Sequence, residues 1–403
     1  VITLAKLRFF CFSVLSLVLL TSSVNRHGHI ALWLTLQGHS SVLDGYHQFP
    51  HIFEQNLKVL PDASVENLAL NGSESAMFNW SKRLLRLGEA DKAKRYWQNT
   101  VAGLTRNERQ QLAQLLFDLN RWEELSELTE RGLVPESVIL EQVKLYLSYP
   151  PESISSIFAF KAGFLLSPTK LSANFRCDYN VLMMSDHRAG LIKLRSFSNT
   201  YSQSPEPSEN SFCFSEPVYL GNNIVCQTDP LKAAGCDWRP MIANYTWPKE
   251  YDFIVMMPRE GRGNVRGGVM QLSSKSHYQL FLHELMHFSG FEDEYAVPKL
   301  KQAWLCKQKG HVAPNLFIAN NTAPPAGWGL SETCEGTVKS YKPSKKWSIM
   351  RYQQILLSPK YRKLWANQIE NNLYKPVRYH EYFTMLSQSL VLNDKRVIKQ
   401  VTE

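Results

Sequence analysis

The chain has no G-x-S-x-G elbow for a nucleophilic serine and no G-x-x-x-x-G-K-[ST] loop for nucleotide phosphates, which sets aside serine hydrolases of that type and P-loop enzymes. Gly261-Arg-Gly-Asn-Val-Arg266-Gly-Gly268 is glycine-rich but lacks the spacing of a dinucleotide fingerprint; it is expected to line the edge of a cleft. Cysteine is sparse, seven in 403 residues, and no two stand as C-x-x-C, which argues against a cysteine-ligated zinc. No apolar run reaches the roughly 20 residues of a membrane-spanning helix. Glycine and proline, 20 each, are too few for a collagen-like or low-complexity chain. What is present is core material: 44% of the residues are apolar, with 10 Trp, 17 Tyr and 20 Phe, and the length suits two or three domains.

Lys6 and Arg8 precede an apolar stretch from Phe9 to Leu20, followed by Thr21-Ser-Ser23. That is the plan of a secretory signal peptide over residues 1–24, with an uncleaved anchor as the alternative. The chain is therefore expected to be secreted or periplasmic, or held at the membrane by this segment. Setting Cys11 aside with it leaves six cysteines, an even number that implies disulfides in an exported protein. Proximity favours Cys226–Cys236 and Cys306–Cys334 among the fifteen pairings that six cysteines allow.

Lys and Arg outnumber Asp and Glu by 45 to 36. The surplus is concentrated, because residues 299–403 carry 17 basic against 6 acidic side chains and the remainder 28 against 30. In an exported, disulfide-bonded chain nucleic acid is not an expected partner. The basic quarter would steer acidic substrates, rest peripherally on an anionic membrane or envelope surface, or form a solvated face.

Residues 25–63 mix His, Gly and Pro and read as a lead-in. Between 64 and 150 apolar residues recur at three- and four-residue steps, and Leu87-Gly-Glu-Ala90 returns as Leu119-Asn-Arg-Trp122, an offset of 32. This approximates a tetratricopeptide-like set of helical hairpins, with an ordinary small bundle as the alternative. Either form offers a docking surface for a protein partner. Residues 151–250 read as β-rich and disulfide-bearing, with strands expected at Tyr179–Met184, Gly190–Phe197, Phe212–Leu220 and Asn222–Gln227. This region is either a separate β domain or the start of the core domain at 251–378; a tail over 379–403 completes the chain. The fold class is α+β.

The core domain carries the chemistry. Tyr251–Met257 suits a strand buried on both faces, Gly267–Leu272 a second strand, and Ser273–Ser276 the cap of a helix over His277–Phe288. That helix holds His283-Glu-Leu-Met-His287. Histidines four apart lie one turn apart on the same face, where both can reach one zinc ion, and Glu284 stands beside them to take a proton from water. Gly290 ends the helix, and Asp293 follows as an oxygen ligand, giving H-E-x-x-H-x-x-G-x-x-D.

This motif resembles that of the metzincin zinc peptidases, with Asp in the third place as in the snapalysin-like branch. Ser348-Ile-Met350-Arg-Tyr352 resembles the methionine turn of astacin-like enzymes. The wider match, over residues 251–355, is to the IgA-peptidase-type family, on the motif, Asp293-Glu-Tyr295, Glu335-Gly336, Tyr341-Lys-Pro343 and the methionine turn. The family pattern has one more residue between the second His and the Asp-Glu-Tyr triplet, so the third ligand is Asp293 with Glu294 as the alternative.

The resemblance implies a mixed twisted sheet, an active-site helix and one catalytic Zn²⁺ held by His283, His287 and Asp293. It also implies Glu284 as general base, Met350 beneath the metal, and Gly267–Leu272 as the edge strand that pairs with substrate. Tyr352 would be a fifth ligand or an oxyanion helper. A backing helix is expected too, although no long helical period is visible between Cys177 and Tyr251. The implied function is an exported zinc endopeptidase acting on a protein or peptide. The alternative is a non-catalytic envelope-binding or scaffold protein with a vestigial or structural zinc, against which the presence of Glu284 speaks.

Overall fold

The computed structural model describes residues 26–319 and 321–388; the N-terminal apolar segment lies outside them. The fold is α+β and divides into two compact units between Val143 and Lys144. Among the described residues no helix is long and apolar enough to cross a membrane.

The first unit is helical, and this includes the expected lead-in. Residues 26–36, Val42–Gln48, Pro50–Gln55 and Asp62–Leu70 are helices, and Phe53, Leu57 and Leu60, spaced four and three apart, are buried. The offset of 32 is a structural repeat. Glu74–Arg86 and Ala90–Thr100 form one hairpin, Arg106–Asp118 and Trp122–Glu130 the next. Their N-caps are Ser73 and Thr105, each accepting from a backbone N–H three residues on, and Thr105 closes a capping box with Glu108. Their turns pass through left-handed backbone at Gly88 and Asn120.

The second unit is built on a mixed sheet. In chain order the strands are β1 (Tyr179–Ser185), β2 (Phe212–Phe214), β3 (Val218–Tyr219), β4 (Val225–Cys226), β5 (Cys236–Asp237), β6 (Phe253–Met257), β7 (Asn264–Arg266), β8 (Val269–Gln271), β9 (Gly310–Ala313), β10 (Leu316–Ile318), β11 (Gly329–Ser331) and β12 (Ser340–Lys342). The main sheet runs β2-β1-β6-β8-β7, with β3 also paired to β1; all of its pairings are parallel except β7 on β8. β1, β2 and β3, from the expected β-rich region, thus share this sheet with β6, β7 and β8, while β4 and β5 pair only with each other.

Every residue of β1 and β6 is buried, as a parallel sheet covered on both faces requires. Alternation divides them between two cores. Val181, Met183, Phe253 and Val255 face a core shared with the helices Arg188–Gln203, Tyr278–His287 and Pro359–Asn371. Leu182, Met184, Ile254 and Met256 face another with Trp238, Met241, Tyr379 and Phe383. The last two belong to a helix over 379–388, so the expected tail contributes to the core.

Gly190–Phe197, expected as a strand, lies inside the sixteen-residue helix Arg188–Gln203. Leu191, Leu194, Phe197 and Tyr201 recur at steps of three, three and four and are buried, while Ile192 is 53% exposed. The short apolar run satisfied either period. This helix packs against the histidine-bearing helix, its Phe197 ring stacked 5.0 Å from Phe281. A second correction concerns the edge. Gly267 and Gly268 both have positive φ and form the two-residue turn of the β7–β8 hairpin, so β8 is internal and β7 is the edge strand.

A four-stranded antiparallel sheet, β11-β12-β10-β9, follows the histidine helix. Cysteine pairs fall at Cys177–Cys213, Cys226–Cys236 and Cys306–Cys334, with Cα separations of 5.9, 3.9 and 5.8 Å. The two pairs favoured by proximity are among them.

Because Leu194 is fully buried and Ile192 is not, Leu194→Ala should cost about 2–5 kcal/mol and Ile192→Ala less than about 1 kcal/mol. Denaturant unfolding checks this. Equal losses would restore the strand reading, in which residues two apart share a face.

Candidate metal centre

The helix Tyr278–His287 starts from His277, whose ring nitrogen accepts from the Leu280 N–H at 3.1 Å, one position beyond the expected serine cap. The helix docks on the sheet through Phe288, which stacks on Phe253 of β6 at 4.1 Å. This seats His283 and Glu284 in the interior, 1% and 2% exposed. Gly290, at φ +80, reverses the chain, and Asp293 returns towards the helix.

His283 Nε2, His287 Nε2 and Asp293 Oδ1 form a triangle whose three sides are each 3.3 Å. A tetrahedral zinc with bonds of about 2.0–2.1 Å sets its ligands about 3.3–3.4 Å apart, so the three atoms fit the ion. The buried Asp293 Oδ1 has no aligned hydrogen-bond donor. The Nδ1–H of His283 donates to the Ile349 carbonyl at 2.9 Å and that of His287 to the Phe291 carbonyl at 2.7 Å. With Nδ1 engaged in this way, a neutral ring presents its Nε2 lone pair to the centre of the triangle. Ile349 precedes Met350, which is fully buried in the core that packs on the histidine helix, so the segment expected as a methionine turn meets His283 through the Ile349 carbonyl.

Ligand atoms of His283, Glu284 and His287 also lie within 4.8 Å of one another. Glu284 thus stands at the site's edge, while the tighter set is completed by Asp293. Burial pushes the Glu284 carboxyl up, against the opposing pull of His287 and His283. Burial alone would lower His287, but Asp293 and then Glu284 carry it to about 9. Burial would likewise raise Asp293, yet the two imidazoles hold it well below the usual carboxylate range.

A cavity of about 250 Å³ opens onto these groups, lined among others by Gly263, Asn264, Tyr295 and Lys301. At Gly263 the chain comes so close that a Cβ would stand 2.8 Å from Glu284 Oε1. The glycine loop and the β7 edge therefore form one wall of the cavity.

Two expected residues lie elsewhere. Glu294 points away from the histidines and is fully engaged by Ser348, Tyr361, Asn315 and Lys342. Tyr352 does not line the cavity; it is 38% exposed, packed against Trp347 and beneath the Arg351 guanidinium. The cavity's tyrosine is Tyr295, whose hydroxyl is raised by burial and by the neighbouring Asp293 carboxylate. Asp293 and Tyr295, two residues apart, line the same cavity.

Some basic side chains of the C-terminal quarter are held in ion pairs. Lys301 pairs with Glu292, Arg351 with Glu332, Arg362 with Glu206 and Arg378 with Asp252.

Before a cation binds, His287 is protonated below about pH 9, and this proton must leave for Nε2 to become a ligand. Zinc affinity should therefore rise by about tenfold per pH unit from 7 towards 9 and then level off, with about one proton released at pH 7. Calorimetry in buffers of different ionisation enthalpy reads the release; a value of zero would contradict it. No known family, curated protein or solved structure matches this chain, so the site's reading rests on its own residues.

Proposed function

We propose that this protein is an exported, metzincin-like zinc endopeptidase, similar to the IgA-peptidase-type family. The observation that carries the proposal is the 3.3 Å triangle of His283, His287 and Asp293 with a buried carboxylate beside it. Three disulfide-distance cysteine pairs accord with a secreted or periplasmic location.

When bound, zinc supplies Lewis acidity, polarising a scissile carbonyl and lowering the pKa of water. His283, His287 and Asp293 would hold it, the two imidazoles oriented by the Ile349 and Phe291 carbonyls. Glu284 takes the proton from the attacking water and passes it to the leaving amine. Its raised proton affinity suits both halves of that task. The outer edge of β7, with no strand paired to it among the described residues, offers backbone groups to an extended peptide along the cavity wall. Lys301 and Tyr295 place a cation and a hydroxyl in the same cavity. The helical hairpins of the first unit, read as tetratricopeptide-like, serve as a docking module for a protein partner.

The test is to measure zinc per chain and peptide hydrolysis for the wild type and Glu284→Gln. One zinc in both, with hydrolysis reduced by about 10²–10⁴ in the variant, is expected. Undiminished hydrolysis in the variant, or a wild type that binds no zinc, rejects the peptidase. Tyr352→Phe should leave kcat within about twofold, given its position outside the cavity; a loss above about tenfold would return Tyr352 to the site.

A further inference from the structure

The loop that carries Asp293 has no regular secondary structure of its own, and Asp293 must still meet two histidines on a helix. Its backbone is pinned at successive residues. Asn315 brackets Glu292, accepting from its N–H at 2.9 Å and donating to its carbonyl at 2.8 Å. The Thr333 hydroxyl donates to the Asp293 carbonyl at 2.7 Å. The Glu294 N–H donates to the Met350 carbonyl at 3.0 Å, and the Glu294 carbonyl accepts from the Glu332 N–H at 3.1 Å.

The Glu294 side chain adds a buried charged anchor. It is 1% exposed and gathers donors from four separate parts of the chain. Asn315 Nδ2 donates to Oε1 at 3.0 Å, and the Tyr361 hydroxyl donates to the same oxygen. The Ser348 hydroxyl donates to Oε2, and Lys342 Nζ stands 3.5 Å from it. Ser348 begins the turn whose next carbonyl, that of Ile349, orients His283. Glu294 therefore ties the loop bearing one metal ligand to the turn that orients another.

We infer that Glu294 is a positioning residue: its buried carboxylate, held by Ser348 and Tyr361, sets the spacing between Asp293 and His283 and so the coordination geometry of the metal. The inference rests on the zinc reading above and deepens it. A carboxylate is suited to this role because every partner is a donor and two oxygens can accept all four. An amide would turn an N–H towards at least one donor and lose that bond. Conserving the charge also matters, since removing it leaves the Lys342 ammonium buried without its counter-ion.

The experiment uses the full chain with Zn²⁺ and Co²⁺ as probes, in the wild type, Glu294→Gln, Ser348→Ala and Tyr361→Phe. The last two remove one donor each and keep the inference testable if Glu294→Gln does not fold. Outer-sphere partners of metal ligands typically change affinity by about 10–100-fold. Zinc Kd should rise by about tenfold in Ser348→Ala and Tyr361→Phe and by about 100-fold in Glu294→Gln, with the visible bands of the Co²⁺ form shifted or weakened in each. Wild-type Kd and Co²⁺ spectra in the variants that fold, with only thermal stability lowered, would make Glu294 a structural hub and overturn the inference. A wild type that takes up neither metal would overturn the zinc reading and this inference with it, an outcome distinguishable by the wild-type titration alone.

Discussion

Burial of β6 on both faces is the constraint from which the rest of the second unit follows. A strand with all five residues in the interior needs helices on each side, and alternation along Phe253–Met257 feeds two cores at once. Phe253, stacked on Phe288, fixes where the histidine helix lies on the sheet. Phe197 stacked on Phe281 fixes it from the neighbouring helix. The imidazoles and Glu284 are carried into the interior as a consequence of this apolar docking, since their own burial is unfavourable without partners.

That cost is offset within a small electrostatic system. Asp293 and Glu284 raise the proton affinity of His287, the two imidazoles lower that of Asp293, and two backbone carbonyls orient the rings. On the other side of the Asp293 loop, Glu294 gathers four donors about a buried carboxylate. Adjacent residues of one short segment, which bends at Glu294 and Tyr295, thus serve opposite sides.

Several features were legible because they depend on few residues. Four-residue spacing on a helix brings His283 and His287 together whatever surrounds them. Gly290 permits the reversal that returns Asp293 three residues later. The offset of 32 fixed repeated hairpins because caps and left-handed turns are local devices. Gly190–Phe197 fits both periods as a short apolar run, and only packing of Leu194, Phe197 and Tyr201 into the sheet's core, with Leu191 buried beside Tyr219, selects the helix. The edge was misplaced for a related reason: Gly267-Gly268 signals a turn as readily as a strand, and strand order is a property of the whole sheet.

From the sequence alone came the His283–His287 pair, its spacing on one helix and Glu284 beside it, because these are matters of covalent distance and helical pitch. Tertiary structure decided which carboxylate of Asp293-Glu294 faces the histidines, which tyrosine shares their cavity, and which strand lies at the edge. Those outcomes depend on residues far apart in the chain, such as Asn315, Ser348 and Tyr361, arriving at one buried carboxylate. Long-range packing energies, not local spacing, determine that meeting.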